Sequence, residues 1–132
     1  MEIKPTASQG NKREVTWLEF GRLCKKLEIK LRETGHQRKL TSVYGIPVGG
    51  WFVAREIVKN LSCLNSNSES DKTVVVDDIV DSGETIRPFA GFGFVTASLF
   101  VKDGAKTKPN IWVEEVPQGC WVKFPWESSR EI

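Results

Sequence analysis

The sequence has no apolar run near the roughly 20 residues that a membrane-spanning helix needs. Its opening residues also lack the apolar segment of a secretory leader. Cysteine is sparse: Cys24, Cys63 and Cys120 stand far apart, with no Cys-x-x-Cys pair. An odd, scattered set gives no disulfide frame and agrees with free thiols in a reducing compartment. His36 is the single histidine, so the ligand spacing of a zinc site is missing too. Charge of one sign is also in short supply. A formal net charge of +2 is too weak a field to recruit nucleic acid or a membrane surface. No internal repeat is visible. What is present is the length and apolar share of one domain around one core. The expectation is a soluble, cytoplasmic protein with neither nucleic-acid nor membrane partners.

Residues 1–13 are polar, carry Pro5 and Gly10 and show no period, so they read as a tail ahead of a single domain at 14–132. Thr16 and Glu19 have the spacing of a capping box, in which each side chain satisfies a free amide at a helix start. Leu23, Leu27 and Leu31 follow at intervals of four, which predicts a helix over 17–33 with its lysines and arginines on a solvated face. Residues 40–47, LTSVYGIP, read as a short strand, and 51–61 as a second helix behind Gly49 and Gly50. A polar loop at 62–71 leads to a strand at 73–78. A short helix, cut short by Pro88, precedes a third strand at 94–101. The segment IWVEEVPQGCWVKFPWE reads as two short strands around 117–119 and an aromatic tail. Trp17 and Trp112 are assigned to core packing. Strands alternating with helices predict an α/β fold with a parallel sheet covered on both faces. The run of Val74, Val75 and Val76, without polar alternation, fits a strand buried on both sides.

In such sheets ligands gather where loops leave the carboxyl ends of strands. Two stretches stand there, Gly49-Gly50 and TVVVDDIVDSGET. In the second, Gly83 permits a tight or left-handed turn, and Ser82 and Thr85 add hydroxyl donors beside free amides, a setting suited to a phosphate monoester. An ordinary strand-to-helix turn capped by Ser82 or Thr85 is the alternative. The neighbouring carboxylates Asp77 and Asp78 repel one another and so stabilise nothing by themselves. They suit sugar hydroxyls or a hard cation such as Mg²⁺, against the alternative of solvated loop acids. Gly49-Gly50 would let backbone amides approach an anion, although no Lys-Ser/Thr follows as in a P-loop. Taken alone, the pair reads first as a simple tight turn. Trp121, on a strand edge, could stack its indole on a planar ligand.

Together, VVVDDIVDSGET resembles the phosphoribosyl pyrophosphate (PRPP) signature of type I phosphoribosyltransferases. VTWLEFGRL, VYGIPVGGWFVAREI, SLFVKDGA and VEEVPQGCWVKFPWE resemble successive parts of the bacterial xanthine-guanine enzymes, so the likeness runs from about residue 15 to 127. The resemblance implies a central parallel sheet flanked by helices (core about 14–105) with a small C-terminal hood at about 106–127. It implies Mg²⁺-dependent transfer of the phosphoribosyl group of PRPP to guanine, xanthine or hypoxanthine; separately, a homo-oligomer, dimer or tetramer, is expected. By the same resemblance, Asp77 and Asp78 would hold the ribose hydroxyls or the metal, and Asp81 would handle the base proton. Asp81, Ser82, Gly83, Glu84 and Thr85 would cradle the 5′-phosphate. Val48, Gly49 and Gly50 would form the pyrophosphate loop, and Lys102, Trp121 and the carbonyl of Val122 would hold the purine. The chain departs from the family in three places. Val48 replaces a basic residue, the segment at 63–72 is too short for a full lid, and Lys123 and Phe124 are expected to alter base choice. The first two motivate an alternative, a non-catalytic nucleotide or PRPP sensor on the same fold.

Overall fold

The protein is described here from a computed structural model, which covers residues 12–34, 40, 42–61 and 72–130. The Thr16–Glu19 box closes as its spacing predicts. The Glu19 amide donates to Thr16 Oγ1 at 3.1 Å, and the Thr16 amide donates to Glu19 Oε1 at 3.4 Å. Helix α1 (Trp17–Thr34) follows, with Leu23, Leu27 and Leu31 buried and Lys25, Lys26 and Lys30 exposed. Strands β2 (Ser42–Gly45), β3 (Thr73–Val80), β4 (Val95–Lys102) and β5 (Ile111–Val116) form one sheet, neighbours in chain order and all parallel. A second parallel pair joins β1 (Lys12–Glu14) to β6 (Trp121–Lys123), with Arg13 opposite Val122.

Valines 74–76 alternate across the sheet, and both faces are buried, as their unbroken apolar run requires. Val74 and Val76 join Ala97 and Leu99 under α1 and α2 (Gly49–Leu61). Val75, Val80 and Val101 face Ile46 and Ile86 on the other side, where Phe89 of α3 (Arg87–Gly91) packs. The steps β2→β3 and β3→β4 advance in the same direction across the sheet, yet α2 and α3 lie on opposite faces. Two such crossovers must have opposite hands, so one of them is left-handed, an arrangement found in roughly 2% of parallel connections.

Several expectations need correcting. Strand β3 runs two residues past Asp78, because Ile79 and Val80 still pair with Phe100 and Val101. Helix α2 starts at Gly49 rather than at residue 51, so the glycine pair is its first turn. Pro88 opens α3 instead of ending it; a first-turn residue needs no amide donor, and proline's fixed φ suits that position. Lys12 and Arg13 belong to β1, not to a tail. Residues 111–116 form an edge strand of the main sheet. Trp17 is 57% exposed, touching Phe20, Phe52 and Trp126 only along one side. His36, Cys63 and the segment at 63–71 lie outside the described residues.

Candidate active site

Strand β3 delivers Asp77 and Asp78 near its carboxyl end, both half-buried. Asp77 Oδ1 accepts from the Asp78 amide at 2.9 Å, and Asp78 Oδ1 accepts from the Ile79 amide at 2.8 Å. Burial, then the contact and charge of Asp78, pushes Asp77 up to about 8. Burial likewise raises Asp78, and the Glu127 carboxylate adds to the effect. Two acids so placed hold a proton or need a cation. The first turn of α2 presses against them. A side chain on Gly49 would overlap Asp78 Oδ2, and one on Gly50 would stand 2.5 Å from the Val76 carbonyl. These glycines therefore serve close approach of α2 to the acids. Val48, just ahead, is 60% exposed.

Beyond β3 the chain turns through Asp81, Ser82, Gly83, Glu84 and Thr85. Gly83 adopts φ 95°, a left-handed conformation that a side chain would strain, and a Cβ there would overlap the Thr107 carbonyl. The Glu84 amide donates to Ser82 Oγ at 3.2 Å, and the Lys106 amide donates to the Ser82 carbonyl at 2.9 Å. The loop after β4 thus buttresses this turn. A cavity of about 100 Å³ is lined by Asp77, Asp81, Ser82, Gly83 and Thr85. A larger cleft of about 350 Å³ lies next to it, lined by Lys102, Cys120, Trp121, Val122 and Glu127. Ile79 and Asp81 line both, so Asp81 stands on their shared wall.

In the larger cleft the Lys102 ammonium, 11% exposed, lies 3.9 Å from Asp81 Oδ1. It donates to the Gln118 carbonyl at 2.9 Å. Trp121 is 55% exposed, and the Lys12 ammonium lies over its ring, 5.3 Å from the centroid. The arrangement offers a small hydroxyl- and amide-lined hollow, an acid pair, and a flat cleft with one ammonium and one indole. That combination suits a ribose phosphate carrying a planar base.

No family model matches the chain. The xanthine-guanine phosphoribosyltransferase of Nitratidesulfovibrio vulgaris (strain DP4) is 27% identical over 140 residues, covering 86% of this chain and 83% of the relative. The Helicobacter pylori xanthine-guanine-hypoxanthine phosphoribosyltransferase matches with a TM-score of 0.76 at 19% identity, over 91% of this chain and 96% of that one. The purine phosphoribosyltransferase of Pyrococcus horikoshii gives 0.75 at 22% identity, over 89% and 95%. The fold is that of the type I phosphoribosyltransferases. By sequence the chain resembles their xanthine-guanine members, and the named relatives indicate a pentosyltransferase enzyme.

Against that phosphoribosyltransferase frame, the structure brings Asp77, Asp81, Ser82, Gly83 and Thr85 around one cavity and Lys102, Trp121 and Val122 around the next. Asp78 and Gly49 meet each other but line neither space. Val48, Gly50 and Glu84 line neither space. Lys123 and Phe124 do not line the base-sized cleft either. Lys123 turns to Glu14 at 3.8 Å, and Phe124 is buried beneath a Trp126 ring stacked at 4.8 Å. Two unexpected residues join the site: Glu127 lines the larger cleft, and Gln118, which lines neither space, bonds both Asp81 and Lys102. A polar residue between Pro117 and Gly119 has no periodicity to mark it, and its turn beside Trp121 was the available signal.

Proposed function

We propose that this chain transfers the phosphoribosyl group of PRPP to a 6-oxopurine (guanine, xanthine or hypoxanthine), releasing pyrophosphate. The observation that carries the reading is Asp81 on the shared wall, with the phosphate-sized hollow on one side and Lys102 and Trp121 on the other. Ser82, Gly83 and Thr85 would receive the 5′-phosphate. Asp77 and Asp78 would accept the ribose hydroxyls. Asp81 would take the proton from the imidazole edge of the base. The Lys102 ammonium only donates, so it favours an oxo group at C6 over an amino group. Trp121 would stack on the base, with the Val122 carbonyl accepting from a 2-amino group.

The donor set also fits Mg²⁺. Two carboxylates, both raised by burial, Asp77 further by Asp78 and Asp78 by Glu127, would be relieved by a cation. Among the described residues there is no cluster of three metal-ligating side chains, and Mg²⁺ is commonly held by one or two carboxylates with water and substrate phosphates. Bound there, Mg²⁺ would neutralise charge on the leaving pyrophosphate. The protein's own part is positioning, because the reaction asks little covalent work of it.

The deciding experiment incubates the purified protein with PRPP, Mg²⁺ and each purine, and detects nucleotide chromatographically. Formation of a 6-oxopurine nucleotide is expected, with adenine unconverted. Conversion of no base under any condition ends the enzymatic reading. One observation favours a second reading, a nucleotide or PRPP sensor: exposed Val48 brings no charge to the turn where pyrophosphate would leave. Calorimetric binding without product would identify that case.

A further inference from the structure

Two charged groups of the base-sized cleft, Asp81 and Lys102, are held by one residue outside the assigned set. The Gln118 side-chain amide donates from Nε2 to Asp81 Oδ1 at 3.0 Å. The Gln118 backbone carbonyl accepts from Lys102 Nζ at 2.9 Å. The remaining atom of the carboxamide, Oε1, lies against Gly104: a Cβ there would stand 2.5 Å away. Asp81 is otherwise little constrained, since its side chain is 68% exposed and its contact with Lys102 is a loose 3.9 Å. An exposed acid on a turn samples several rotamers, and a directed donor removes that freedom.

We propose that Gln118 is the positioning residue of the base pocket. Its carboxamide fixes one oxygen of Asp81 and leaves the other for the base, while its carbonyl sets the direction of the Lys102 ammonium. The proposal rests on the phosphoribosyltransferase reading above and extends it to a residue that touches the reacting groups only through Asp81 and Lys102. It also gives Gly104 a role: the turn after β4 must lack a side chain so that the carboxamide can lie flat against it. The carbonyl contact belongs to the backbone and survives substitution, so side-chain variants isolate the contact with Asp81.

Three variants of the full chain test this. Gln118→Ala removes the donor. Gln118→Glu keeps the shape and places an acceptor against Asp81. Gly104→Ala leaves Gln118 intact but displaces the flexible end of its side chain. Each is compared with wild type by thermal unfolding, by calorimetric titration with GMP and with ribose 5-phosphate, and by steady-state kinetics. Unfolding temperatures should stay within a few degrees of wild type. GMP affinity and the kcat/KM for the purine should fall about tenfold in Gln118→Ala and Gly104→Ala, and further in Gln118→Glu. Ribose 5-phosphate affinity and the KM for PRPP should not change. A Gln118→Glu protein that binds GMP as wild type does would show that only shape matters and overturn the proposal. If wild type binds ribose 5-phosphate but never a purine nucleotide, the base-pocket reading and this inference fall together. If GMP binds tightly but without regard to residue 118, only this inference falls.

Discussion

Asp77 and Asp78 give the site its sharpest residue-level consequence. Both have proton affinities raised above those of an unfolded chain, Asp77 up to about 8. A raised acid favours the folded state while protonated. That contribution is complete below about pH 4, the ordinary carboxylate value, and is lost as pH rises through about 8. The metal-free protein should therefore become easier to unfold with urea between pH 5 and 9. Asp77→Asn should flatten that slope, and Mg²⁺ should restore midpoint concentrations at pH 9. Identical slopes in wild type and Asp77→Asn would dismiss the argument. Gly49 makes a second case. Its Cβ would overlap a carboxylate that is itself half-buried and cannot swing away freely. Overpacking of this kind costs about 1–3 kcal/mol, so Gly49→Ala should lower the urea midpoint and weaken PRPP binding together.

At the scale of elements, the N-terminus of α1 is held by two reciprocal contacts between Thr16 and Glu19. Arg13 ties the same region to the sheet, bonding Glu114 at 3.1 and 3.2 Å and Glu19 at 3.2 Å. Thr16→Ala should cost about 1 kcal/mol of stability, measured by chemical denaturation, with catalysis and ligand binding unchanged. Elements such as α1 were legible because their signals are local: a cap, then leucines at helical spacing. The buried β3 was legible for the same reason, in its unbroken valines. Strand β1 was not, since Lys12, Arg13 and Glu14 have no apolar face, and only distant β6 makes them a strand. Pro88 is ambiguous in sequence because proline both ends and begins helices, and the deciding fact is which amide goes unpaired. The ribose-phosphate side of the site could be read from one contiguous stretch. The base side needed the fold, because Gln118 reaches Asp81 across 37 positions of sequence.

For the molecule as a whole, PRPP with Mg²⁺ should bind the folded state alone. At a hundredfold excess over Kd the stabilisation is about 2.7 kcal/mol, visible as a raised Tm that a chelator reverses. A Tm indifferent to PRPP in the presence of Mg²⁺ would contradict the site. Trp17, Leu18, Val48 and Trp51 are large apolar side chains left exposed, so light scattering is expected to give a mass that is a multiple of 14.9 kDa. Sheet order carries a further consequence, for the time course of synthesis. Strands β2 to β5 pair in the order they are made, so each can dock on its predecessor as it emerges. Strand β1 is made first and pairs with β6, made last. With translation at about 5–20 residues per second, β1 waits on the order of 5–20 s for its partner. Three consecutive charged residues make it a poor template for any other strand during that wait.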